Sequence, residues 1–138
     1  MTLPKRVGTI GAGQMAEAIL RGLLRAGMDR AQLIASDPSR ERREKLEHEL
    51  GIRTTADIRQ VVHASDVAVL AVKPDRLEQA THGFPLEGGP LYLSILAGRT
   101  LAQLRAHVGP RVARAMPNTP SLIGAGASAL ATPSELGA

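Results

Sequence analysis

Lys5-Arg6-Val7-Gly8-Thr9-Ile10-Gly11-Ala12-Gly13-Gln14-Met15-Ala16 changes its pattern twice. Val7 to Ile10 is a short run with β-branched residues, which reads as a strand. Gly11-Ala12-Gly13 follows at once, a turn with no bulky Cβ to obstruct it. From Gln14 onward Met15, Ala18, Ile19, Leu23 and Leu24 recur at helical spacing. A strand, a tight turn and a helix are therefore expected in immediate succession. In that setting Gly11-x-Gly13-x-x-Ala16 points to dinucleotide binding. Gly11 permits the turn, Gly13 lets the backbone approach a pyrophosphate, and Ala16 keeps helix and strand close in place of a third glycine. The helix N-terminus offers free N–H groups and a positive dipole end to phosphate. The plainer alternative is a tight structural βα turn.

The rest of the chain repeats this alternation. Gln32 to Ser36, Ile52 to Thr54, Val67 to Val72, Leu91 to Leu96 and Arg111 to Met116 read as further strands. Helices are expected over about Gln14 to Arg25, Arg40 to Leu50, from Thr54 or Thr55 to His63, briefly from Pro74, and from Thr100 to His107. Arg40 to Leu50 is highly charged, with Leu46 and Leu50 its main apolar positions, so it belongs on the surface. Val67 to Val72 is almost wholly apolar, as a strand buried on both faces of a parallel sheet would be. Gly124 to Ala131 is a candidate last strand. The pattern implies an α/β, Rossmann-type doubly wound sheet, mainly parallel with helices on both faces, over residues 1–131, and a tail over 132–138.

Composition narrows the function. The chain has 138 residues, one domain's worth, and 43% hydrophobic content, enough for a core. It has no cysteine, which excludes disulfides, thiolate metal sites and a cysteine nucleophile. The four histidines, His48, His63, His82 and His107, are expected in surface helices without ligand spacing, so no metal site is expected. No signal peptide and no apolar run near the roughly 18 residues of a membrane span are evident, so no membrane partner is expected and the reading is cytoplasmic. The net charge is +4, but the basic residues are dispersed and alternate with Glu in Arg40 to Glu49. Aromatics are 1%, Phe84 and Tyr92, too few for a stacking platform. Nucleic acid is therefore not an expected partner, and an anionic small ligand suits the charge better.

A second cofactor signal lies at the end of the second strand. An acid there bonds the adenosine 2′-OH of NAD, whereas an Arg nearby accepts the 2′-phosphate of NADP. Ser36 and Asp37 occupy that point, with Ser39 and Arg40 beside them. Asp37 favours NAD. Ser39 and Arg40 supply two potential phosphate ligands, and on their account NADP(H) is favoured over NAD(H). Asp37 has an alternative use as the cap of the Arg40 helix.

Three further stretches fall just after predicted strands: Ala71-Val72-Lys73-Pro74-Asp75, Ser94-Ile95-Leu96-Ala97-Gly98 and Arg114-Ala115-Met116-Pro117-Asn118-Thr119-Pro120. Together with the opening motif they make the chain resemble the pyrroline-5-carboxylate reductases, up to about Leu130. The resemblance implies hydride transfer from NADPH or NADH to a cyclic imine, 1-pyrroline-5-carboxylate, to give L-proline. It implies Gly11, Ala12, Gly13, Gln14 and Met15 at the pyrophosphate and nearby ribose, and Ser36, Asp37, Ser39 and Arg40 at the adenosine ribose. Val72, Lys73 and Pro74 would line the path to the nicotinamide, Ala97 and Gly98 would leave space for the ring, and Asn118 and Thr119 would approach the ring and the imine. Lys73 has the alternative of a solvent-facing or phosphate-facing charge, and Asn118 that of a turn former between prolines.

The glycine motif alone also suits a hydroxyacid dehydrogenase of the 6-phosphogluconate type, and a non-catalytic nicotinamide sensor is a third possibility. Members of the resembled family carry a second, helical domain that supplies dimerisation and much of the substrate carboxylate site. It is missing from this sequence, so the chain reads as the cofactor-binding part of a homo-oligomer, with poor turnover on its own.

Overall fold

The computed structural model describes residues 4–115. Six strands form one sheet: β1 (Val7–Ile10), β2 (Leu33–Ser36), β3 (Arg53–Thr55), β4 (Val67–Leu70), β5 (Leu91–Ser94) and β6 (Val112–Arg114). Their spatial order is β3-β2-β1-β4-β5-β6, and every pairing is parallel. β1 is central, with Val7 opposite both Leu33 and Val67. The helices are α1 (Gln14–Arg25), α2 (Arg40–Leu50), α3 (Ile58–Ala64), α4 (Leu77–Ala80) and α5 (Leu101–Val108).

Strand residues alternate between two cores. Val7, Leu33, Ala35, Val67, Val69 and Leu93 face α1 and α2, which contribute Ile19, Leu20, Leu23, Leu46 and Leu50. Ile10, Ile34, Ala68, Leu70 and Tyr92 face the other way, toward Val61 of α3, Leu77 of α4, and Leu104 and Val108 of α5. Burying each such aliphatic side chain is worth about 1.5–3 kcal/mol, which outweighs the weak intrinsic preference of these short segments. The chain changes face after β3, so the connections leaving β1 and β4 run to opposite faces of the sheet and leave a crevice at the carboxyl ends of these strands.

Local signals end the elements. Ser39 caps α2 by accepting the Arg42 N–H at 3.3 Å, and Gly51 closes it at φ +68°. Thr100 and Gln103 form a capping box at α5. α3 departs from expectation: Asp57, not Thr54 or Thr55, caps it by accepting the Arg59 N–H at 2.9 Å. Thr54 and Thr55 are drawn into β3 by pairing with β2. The last three strands are shorter than expected. Ala71 N–H still bonds Ile10 O and Ile95 N–H still bonds Leu70 O, but beyond these bonds the chains splay into loops. His82 lies in a turn after α4, not in a helix. The expected strand over 124–131 and the tail over 132–138 lie outside the described residues.

The amino edge of the sheet is held by an Arg6–Asp66 pair at 3.0 Å. The Arg6 guanidinium, by hydrogen bonding above all, holds the Asp66 carboxyl below its ordinary range. No helix among the described residues is long and apolar enough to cross a membrane.

Candidate cofactor crevice

Gly11 has φ +114°, a conformation that strains any residue with a Cβ. A Cβ there would also sit 2.5 Å from Ala71 O. Only glycine lets the first loop rest against the backbone that leaves β4. Its N–H donates to Ser36 O at 2.8 Å, and the Thr9 hydroxyl donates to its carbonyl at 2.8 Å. Gly13 is the N-cap of α1 and brings no side-chain cap, so the amides of the first turn keep their donors free of a side-chain acceptor. Those donors and the helix dipole suit an anion. Ala16 is fully buried, as close packing of α1 on the sheet requires. Gln14 is exposed and Met15 half-buried at the start of the helix.

Ser36 and Asp37 are buried at the end of β2. Asp37 is neither a simple helix cap nor an idle acid. Its Oδ2 accepts the Ala12 N–H at 2.9 Å, and its Oδ1 accepts the Ser39 N–H at 2.8 Å. One carboxylate therefore ties the glycine loop to the β2–α2 turn. Arg43 Nη1 braces the same turn by donating to Asp37 O at 2.8 Å. Arg40 donates instead to Glu44 at 2.7 Å, one turn along its own helix. The cation over the loop is Arg42. Its Nη1 lies 3.6 Å from Asp37 Oδ2 and 4.0 Å from where a Cβ on Gly13 would be. The sequence reading passed over Arg42. Its signal was its place in the first turn of a Ser-capped helix, where side chains lean back toward the N-terminus.

On the far side, Val72 is half-buried and Lys73 exposed. Lys73 precedes a 3-10 turn, Pro74–Arg76, that leads into α4. Ala97 and Gly98 are exposed beyond β5, and nothing lies within 4 Å of a Cβ on Gly98. Arg99, also missed, joins these two loops: its Nη2 donates to Pro74 O at 2.7 Å. The structure thus brings the glycine loop, the β2–α2 turn, Val72 to Pro74 and Ala97–Gly98 to the carboxyl edge of one sheet. Asn118 and Thr119 lie outside the described residues. No group of three or more His, Cys, Asp or Glu suited to a metal occurs among the described residues.

A parallel sheet in this strand order, with a glycine cradle at its switch point, defines a nucleotide-binding fold of the Rossmann type. The chain belongs to the NADP oxidoreductase, coenzyme F420-dependent family, which its residues 6–98 match. It is similar to the pyrroline-5-carboxylate reductase of Pseudomonas aeruginosa, 41% identical over 129 residues, covering 91% of this chain and 47% of that protein. A pyrroline-5-carboxylate reductase structure from Coxiella burnetii superposes with a TM-score of 0.79 at 31% identity, covering 88% of this chain and 47% of that one. A Plasmodium falciparum pyrroline carboxylate reductase with NADP bound gives 0.68 at 27% identity, covering 86% and 44%. The chain thus spans about half the length of the relatives it matches.

Proposed function

We propose that this chain is the cofactor-binding part of a pyrroline-5-carboxylate reductase, which reduces the cyclic imine 1-pyrroline-5-carboxylate to L-proline. The observation that carries the reading is the cradle. Gly11 sits where only glycine fits, beside α1 amides that have no side-chain cap, in a chain whose relatives bear that name. In this reading Gly11 to Met15 meet the pyrophosphate. Ser36, Asp37, Ser39 and Arg40 form the adenosine end, joined by Arg42. Val72, Lys73, Pro74, Ala97 and Gly98 line the way to the nicotinamide, with Asn118 and Thr119 nearest the imine. The bound cofactor supplies a hydride. The protein's own task is to hold the imine carbon about 3–3.5 Å from the donor and to keep water out.

We read the cofactor as NADPH in preference to NADH. Asp37 already accepts two backbone N–H groups, so its carboxylate is engaged, and Arg42 adds an exposed guanidinium beside it. The relatives extend well beyond the match. Their remaining length is read as supplying the substrate carboxylate site and the homo-oligomer contacts, so the 138-residue chain alone should bind NADPH and turn over poorly. Titration with NADPH and NADH, followed by a 340 nm assay on the imine, tests this. NADPH is expected to bind at least about tenfold tighter, and Arg42→Gln to remove most of that preference. Failure to bind either dinucleotide sinks the reading. Tighter NADH binding sinks the cofactor choice, and vigorous proline formation by the chain sinks the division of labour.

A further inference from the structure

The crevice loops are tied to one another in two ways. The first loop meets the β4 loop backbone to backbone, at Gly11 and Ala71, and meets the β2–α2 turn through the buried Asp37. The loops after β4 and β5 have a single described side-chain hydrogen bond between them, made by Arg99. Its Nη2 donates to Pro74 O at 2.7 Å, while its Nη1 stands 3.8 Å from Glu78 Oε1. Arg99 is 20% exposed and Glu78 71% exposed, so the short bond to the carbonyl dominates and the ion pair adds little.

The two ends of this tie differ in stiffness. Pro74 opens the 3-10 turn, and its carbonyl also receives the Leu77 N–H, so that end is anchored. Arg99 sits between Gly98, at φ +75° with open space around it, and Thr100, whose side chain and Gln103 lock the start of α5. Leu96 is buried in the same cluster as Leu70, but beyond it, without Arg99, the Ala97–Gly98 wall has a glycine hinge and no described side-chain hydrogen bond to the β4 loop. A slot for a flat ring orders that ring only if its walls are already fixed, because otherwise binding must order the wall as well.

We propose that Arg99 is a positioning residue. By holding Pro74 it sets the width of the slot between Lys73–Pro74 and Ala97–Gly98, and so it holds the nicotinamide end of the cofactor without touching the phosphate end. This rests on the cofactor reading above.

Two ligands separate the ends. NADPH carries the nicotinamide; 2′-phospho-ADP-ribose has the same adenosine and pyrophosphate without it. For the Arg99→Ala chain, affinity for the fragment is expected to match wild type. Affinity for NADPH should fall about fivefold, and the emission change of the reduced nicotinamide on binding should be lost. Arg99→Lys, which keeps a cationic donor group, should recover part of both signals, and Glu78→Gln should alter neither. Equal weakening of both ligands, or unchanged NADPH binding with unchanged emission, overturns the assignment. If wild type binds neither ligand, the cofactor reading falls and takes this one with it; if wild type binds both and Arg99→Ala behaves like it, only the Arg99 assignment falls.

Discussion

The two edges of the sheet follow opposite plans. At the carboxyl edge the loops lie in contact: Gly11 rests on Ala71, Asp37 holds Ala12, and Arg99 holds Pro74. The amino edge is built differently. Clefts of about 320 and 370 Å³ surround Gly88, Gly89, Pro90 and Arg111. Two buried hydroxyls there, Ser65 Oγ and Tyr92 OH, have no hydrogen-bond partner among the described residues, and burial pushes the Tyr92 hydroxyl up to about 12. The contrast separates cavity volume from recognition. A long anionic ligand laid across strand ends is gripped by aligned backbone donors, which demand close approach more than depth. Among the described residues the amino edge offers no such row of donors, since every α-helix starts at the carboxyl edge.

A pair of glycines gives the hardest test of this contrast. Gly11 and Gly109 both have positive φ, and a Cβ on either would meet backbone, of Ala71 and Leu86 respectively. Gly11→Ala and Gly109→Ala should each destabilise by about 2–4 kcal/mol, from strain plus overpacking. Only Gly11→Ala should also weaken NADPH binding, by about tenfold or more, in titrations of the folded fraction. An equal loss of binding in both would dissolve the distinction between the edges.

Asp37→Ala should come next. It strips the acceptor from the Ala12 and Ser39 N–H groups, a loss of about 1–3 kcal/mol in denaturant unfolding. Because Asp37 acts through the loop, NADPH and NADH should weaken together. A loss confined to NADH would mean that the carboxylate reads the ribose hydroxyl directly.

The smallest effect belongs to the amino edge. Asp66 has its folded pKa lowered, chiefly by the hydrogen bond from Arg6. Its contribution is therefore present above the unfolded carboxyl value of about 3.9 and fades as pH falls through the lower folded value. Asp66→Asn should slightly flatten the drop in Tm between about pH 5 and about pH 3 and leave NADPH affinity at neutral pH alone, since both partners are well exposed. A change in cofactor affinity would show that the two edges are coupled.

How far the sequence foretold this depends on the range of each interaction. β1 and α1 were legible because the hydrophobic period changes at Gly11, and α2 because only Leu46 and Leu50 are apolar enough to face inward. The cap of α3 was not, because Thr54, Thr55 and Asp57 are all competent caps and a partner strand decided among them. At the site, the glycine turn was plain. The choice among Arg40, Arg42 and Arg43 was not, since it depends on helix phase set by Ser39. Asp37 with Ala12 and Arg99 with Pro74 are each 25 residues apart, and no local pattern records a bond of that span.

β1 is the first strand in the chain yet stands in the middle of the sheet, so it must wait for its second neighbour. Arg6 and Asp66, which bracket the start of that pairing, are 60 residues apart. A growing chain that has made β1, β2 and β3 has both helices of its first layer, α1 and α2, while Ile10 and Ile34 still show their apolar side to water. Long-range parallel pairing of this kind is slow to form and exposed while it waits. The seat of Gly11 against Ala71 cannot exist before β4 docks. A chain stopped short of Ala71 would carry the whole glycine signature and no cradle, so the binding site is a product of the finished sheet and not of the motif that announces it.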